Sequence, residues 1–123
     1  MLAVAEHKRI HSDIIPRIAS GFCGGLAHTD GTCGAVSGGV MAISLYLGRD
    51  EPGDPKDRCY QTVRKFLGNF ADEFGETNCF RLTGVHLGTP EGQAEFKEKE
   101  QIKKCTEYVG GAVRMALELV EEK

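Results

Sequence analysis

Apolar positions along the chain recur at three- and four-residue spacing rather than in alternation, and that period predicts helices. Leu2, Ala3, Val4 and Ala5 read as a helix already in progress, with no cap before them. A helix without a start signal implies a natural chain that extends upstream. Ser12 is the expected N-cap of a second helix with Pro16 in its early turns, and Ile14, Ile15, Ile18 and Phe22 form its apolar stripe. GFCGGLAHTDGT reads as a loop turning at Asp30-Gly31, and Thr32 then caps CGAVSGGVMAISLYL at 33–47. That segment is apolar nearly all round, so a buried helix ending at Gly48 is expected. Gly34, Gly38 and Ala42 lie four apart on one face, where another backbone could approach closely.

Beyond the polar loop RDEPGDPKD, Tyr60, Val63, Phe66, Leu67, Phe70 and Phe74 mark a long amphipathic helix that Gly75 stops. Asn78 can cap a short helix, CFRLTG, and VHLGTPEG follows as a loop. EFKEKEQIKK is a solvated, charged helical stretch. The last helix runs to the C-terminus with Ile102, Cys105, Val109, Val113, Ala116 and Val120 on its inner face, and Gly110-Gly111 is a second site of close packing. The pairs Asp50-Glu51 and Glu121-Glu122 read as solvated ends. The predicted fold class is all-α: one domain over residues 1–123, a compact bundle of about five helices with a central glycine-rich buried helix.

Composition narrows the function. The chain has 123 residues, 41% hydrophobic and 27% charged, enough for a single core. A net charge of −3 argues against a nucleic-acid or anionic-membrane surface, which needs a cationic excess. No apolar run reaches the ~20 residues that cross a bilayer, and the start, MLAVAEHKRIHSD, has no signal-peptide pattern. The expected location is therefore cytoplasmic, without membrane insertion. In that compartment five cysteines are ligands, redox thiols or small buried hydrophobes rather than structural disulfides.

Those cysteines, Cys23, Cys33, Cys59, Cys79 and Cys105, include no CxxC pair, so any joint chemistry has to be assembled by the fold. Three lie at predicted helix starts: Cys33 after Thr32, Cys79 after Asn78, Cys105 after Lys103 and Lys104. Helix N-termini and lysines favour thiolate, the form that binds soft metals or attacks disulfides. The inference is that these starts converge on one pocket. His28, five residues before Cys33, is a further candidate ligand or proton donor. His7 and His11, four apart, are a weak metal signal without an HExxH glutamate. No phosphate-binding glycine motif or nucleophile elbow is present.

SGFCGGLAHTDGTCGAVSGGVMAISLYLGR at 20–49, with Cys33-Gly34-Ala35-Val36-Ser37-Gly38 as a CGAxxG motif, resembles the C_GCAxxG_C_C family of redox-active proteins. FADEFGETNCFRLTG around Cys79 and KCTEYV around Cys105 extend the resemblance over nearly the whole chain. It implies a cysteine-based redox or metal role, with Cys33, Cys79 and Cys105 matching three of four hallmark cysteines. The fourth precedes the SGF segment in the family, and no cysteine precedes Cys23 here. The resemblance implies an iron–sulfur cluster or other metal ion on Cys33, Cys79 and Cys105, with Cys23 and His28 as supplementary ligands. Gly34, Ala35 and Gly38 would line the cofactor and offer backbone N–H groups to the sulfurs. An unidentified redox partner protein and a homodimer are the expected associations. A metal-free thiol oxidoreductase and a protein with merely packed cysteines are the other readings.

Overall fold

The structure, a computed structural model, describes residues 1–121. Along them run α1 (Leu2–His7), a 3-10 turn (Arg17–Phe22), α2 (Cys23–His28), α3 (Gly34–Leu47), α4 (Asp57–Phe74), α5 (Cys79–Thr83), α6 (Pro90–Glu98) and α7 (Ile102–Val120). No strand occurs among the described residues, only a single bridge between Thr32 and Asn78. The seven α-helical segments exceed the expected five because four of them are short pieces, α1 and α2 before the long helix α3 and α5 and α6 between the long helices α4 and α7. Glu122, of the acidic pair at the end, lies outside the described residues.

The long helices α3, α4 and α7 pack on one another and enclose the core. α4 forms as its spacing predicts: Phe66 and Phe70 are fully buried, and Gly75 ends the helix in a left-handed conformation, φ 86°. Val36, Ala42 and Ile43 from α3 meet Ala112, Met115 and Ala116 from α7 around these rings. Two glycines make the approach possible. A Cβ on Gly39 would lie 2.2 Å from Phe66 Cζ, and one on Gly111 would lie 2.6 Å from Phe74 Cζ. Phe74 in turn meets the ring of Tyr108 edge-on at 5.0 Å. Such a pair adds about 0.5–1.5 kcal/mol beyond its buried area.

Four expectations are corrected. Residues 12–22 form turns and the 3-10 segment instead of an α-helix, because Pro16 lacks an N–H and disfavours helical geometry at Ile15. Only Ile15 of its apolar stripe is buried, while Ile14, Ile18 and Phe22 are exposed. Thr32 is not the cap of α3; Cys33 holds that position, and Thr32 is engaged in the bridge to Asn78. The charged helix begins earlier, at Pro90, because Thr89 caps it by accepting from the Gly92 N–H. On α7, Ala116 and Val120 are buried and Cys105 and Val113 half-buried as expected, but the expected inner face fails at Ile102 and Val109. Ile102 and Val109 are 61% and 51% exposed, while Tyr108 and Met115 are buried. Tyr108 decides the difference: its ring joins the phenylalanines and its hydroxyl donates to the Leu82 carbonyl at 3.1 Å.

Among the described residues no helix is long and apolar enough to cross a membrane.

Candidate functional site

Two cysteine segments distant in sequence are bound together backbone to backbone. The Cys33 N–H donates to the Thr77 carbonyl and the Cys79 N–H donates to the Gly31 carbonyl, both at 2.8 Å. Asn78 locks the pair further. Its Nδ2 donates to the Asp30 carbonyl at 2.7 Å, and its Oδ1 accepts from the Arg81 N–H at 3.1 Å, capping α5. Side chains alternate along such a ladder, so Cys33 and Cys79 share the side opposite Thr32 and Asn78. Cys105 comes to the same place from α7, one turn inside that helix.

These sulfurs line a cavity of about 560 Å³ between α3 and α7. Cys23 and His28 line it too, as do Gly34, Ala35 and Gly38. Cys59 does not: it is buried between α3 and α4, its Sγ 3.9 Å from Ser44 Oγ. A Cβ on Gly34 would lie 3.1 Å from the Cys23 Cα, so the glycine of the CGAxxG motif lets the Cys23 backbone settle on the start of α3. Gly38 meets only the Met1 nitrogen at 3.6 Å, an ordinary contact, and so leaves the cavity open.

The rim is a left-handed turn. Gly24, Gly25, Leu26, Ala27 and His28 all have φ between 55° and 68°. For the three residues with side chains this backbone costs roughly 1–2 kcal/mol each. It is held by the Gly25 carbonyl, which accepts from the Gly31 N–H at 3.1 Å and the Thr29 N–H at 3.3 Å. The turn leaves Cys23 exposed while seating Gly25 against the side chain of Cys79.

The environment favours neutral thiols, which reverses the thiolate expectation for two of them. Burial pushes the Cys79 thiol up, and the neighbouring Cys33, Cys105 and Asp30 add to the rise, opposed by a hydrogen bond with Thr83. Burial raises Cys105 as well, with Cys33 contributing. Helix-start fields are outweighed because desolvation and neighbouring sulfurs both penalise negative charge. Lys103 does not help, since it pairs with Glu100 at 3.0 Å in solvent.

Among the described residues no three His, Cys, Asp or Glu side chains are grouped so as to hold a metal ion. The expected metal set of Cys33, Cys79, Cys105, Cys23 and His28 shares the cavity without that grouping. His7 instead lies 3.5 Å from a Glu121 carboxylate oxygen.

Several site residues carry no sequence signal beyond ordinary loop chemistry. Thr83 Oγ1 donates to the Cys79 carbonyl at 2.9 Å and steadies α5. Asp30 pairs with His86 Nδ1 at 2.7 Å, and Phe80 stacks on that imidazole at 4.0 Å. Tyr108 titrates above its ordinary value through burial and the nearby Cys105 and Cys33. Only the tertiary fold, joining 30 to 86 and 83 to the cysteines, reveals these partners.

The chain as a whole matches a family model over residues 1–119. It belongs to the family described as "Putative redox-active protein (C_GCAxxG_C_C)". A protein of Archaeoglobus fulgidus described as uncharacterized is 28% identical over 131 residues, covering 99% of this chain and 82% of that one. No solved structure matches. Family membership makes this a cysteine-containing protein of redox-active type, and four of its five cysteines line the cavity.

Proposed function

We propose that the protein is a thiol–disulfide redox module working without a metal. Two of Cys33, Cys79 and Cys105 cycle between dithiol and disulfide, and Cys23 at the rim is the thiol that an external disulfide reaches first. The observation that carries this reading is the shared cavity: three cysteines from three helix starts, with Cys23, line one space. In the exchange, a protein thiolate attacks a sulfur of the partner disulfide and expels a partner thiolate, which takes up the proton. A second protein thiol then resolves the mixed disulfide, so two S–H bonds and one S–S bond on the two sides change places. The exposed Ile14, Ile18 and Phe22, leading to Cys23, offer apolar surface to a redox partner or a second copy of the chain.

Titration in glutathione buffers, read by alkylation and intact mass, tests the reading. A single two-electron couple that disappears when serine replaces either member of one pair among Cys33, Cys79 and Cys105 supports it; thiols that stay reduced across the whole range overturn it. The competing reading is an iron–sulfur or other metal centre on the same sulfurs, favoured by the softness of four thiol donors. It requires those donors to draw together. Stoichiometric metal and sulfide in anaerobically purified protein would replace the dithiol reading.

A further inference from the structure

The cavity extends well past its sulfurs. From Cys105 to Val113, both half-exposed in it, α7 covers ~12 Å, and from Gly34 to Gly38 α3 covers ~6 Å, at ~1.5 Å per residue; Ala42 and Ala116 behind them are fully buried. Cys33 and Cys105 stand at the N-terminal ends of these two stretches, and Gly38 and Val113 line the slot beyond them. Its volume, about 560 Å³, falls within the ~300–1,000 Å³ of small-molecule sites. A disulfide or a thiol-held ion needs only the sulfur end.

The lining contains no Asp, Glu, Lys or Arg among the described residues; its one amine is the Met1 N-terminus beside Gly38, which burial pushes towards the neutral form. A nucleotide, a carboxylate or a charged peptide disulfide would lose its hydration there with only that partly buried amine to face it. A neutral, apolar molecule would not. Glycine and alanine along α3 leave one wall without bulk, which suits a flat ring. Polar side chains at the thiol end, the sulfurs and His28, suit a ring that carries its oxygens there.

We propose that this slot binds a neutral quinone, ring toward the thiols, and that the quinone is a two-electron acceptor of the dithiol, which a partner dithiol restores by the thiol–disulfide exchange above run in reverse; the second half rests on that redox reading. The step balances without another reagent. Two S–H bonds break and one S–S bond forms; the two electrons and two protons pass to the quinone, whose two carbonyl oxygens become the hydroxyls of a hydroquinone.

The chain has no tryptophan, so Val109→Trp places a lone fluorescent reporter at the half-exposed mouth of the slot. The probe is 2,3-dimethyl-1,4-naphthoquinone, whose methyl groups block simple thiol addition at the ring carbons they occupy. Saturable quenching of the reporter is expected, weakened about tenfold or more when Gly38→Leu or Val113→Phe fills the slot. Helical circular dichroism selects whichever filling variant folds. In anaerobic, fully reduced protein, two thiols should vanish for each hydroquinone formed. Quenching that is linear and equal to that of free tryptophan overturns the proposal, as does saturable quenching with every thiol retained. Oxidation by neutral lipoamide but not by the quinone overturns it too. The glutathione titration separates the two failures: a couple without quinone binding removes the slot alone, and no couple removes the redox reading.

Discussion

Gly25 and Cys79 touch so closely that a Cβ on the glycine would lie 2.5 Å from the Cys79 Cβ. The glycine also has φ 66°, a conformation that L side chains rarely adopt. Sequence neighbours do not impose this contact; the bridge between residues 31–33 and 77–79 does.

Gly25→Ala should therefore fail twice over, through backbone strain and through overlap with Cys79. A loss of about 2–4 kcal/mol is expected from the two effects together. Urea unfolding monitored by circular dichroism measures it. A variant as stable as the parent would show that the left-handed turn can rearrange freely.

Two glycines on long helices should respond in opposite directions. Gly110→Ala meets nothing within 4 Å and should stabilise by up to about 1 kcal/mol through helix propensity. Gly39→Ala gains the same propensity but drives a methyl into the Phe66 ring, and overpacking costs about 1–3 kcal/mol. Paired denaturation midpoints, rising for the first and falling for the second, check the packing of α3 on α4.

Stability should decline in alkali because of the buried thiols. In the folded state the Cys79 and Cys105 thiols titrate above the ordinary value of 9.0. Below that value both folded and unfolded chains hold the protons, and the stabilisation is fully present. As pH rises through 9.0 towards the raised folded values, the unfolded chain releases its protons first and stability falls. Unfolding free energies between about pH 8 and 10 should slope downward, and less so in Cys79→Ala.

Asp30 faces Cys79 and contributes to holding its thiol neutral, after burial and the two neighbouring sulfurs. Asp30→Asn should speed alkylation of Cys79 near pH 8 by roughly twofold. Its exposed pair with His86 is worth at most about 1 kcal/mol, so the fold should survive. Residue-resolved alkylation rates decide; an unchanged rate would mean that solvent screens the carboxylate.

Cys59 gives the control for the redox reading. It is buried against Ser44, away from the cavity. Cys59→Ala should leave the glutathione couple intact, while serine at either member of the cycling pair among Cys33, Cys79 and Cys105 abolishes it. Disulfide content against buffer potential is the measurement.

The strongest sequence signals concern features that a single segment can satisfy alone. The 3.6-residue rhythm of Val63, Phe66, Phe70 and Phe74 specified α4, because one apolar face suffices to bury an amphipathic helix. Asn78 as a cap and Gly75 as a stop were equally readable, since capping and left-handed termination are local. The stripe 14-15-18-22 misled because Pro16 blocks the helix that its spacing suggests. The face of α7 was misread at Val109 because Val109 and Tyr108 are both plausible core residues. Only the position of the α4 rings selects Tyr108.

By itself, then, the order of residues determined an all-helical chain, the long helix at 57–74 and a set of cysteines at helix starts, for these follow from periodicity, caps and motif spacing. The tertiary structure decided which sulfurs share a cavity, why Cys59 is excluded, and that burial keeps Cys79 and Cys105 protonated. Those facts depend on desolvation and on groups brought together from opposite ends of the sequence, and neither is encoded in any one stretch of it.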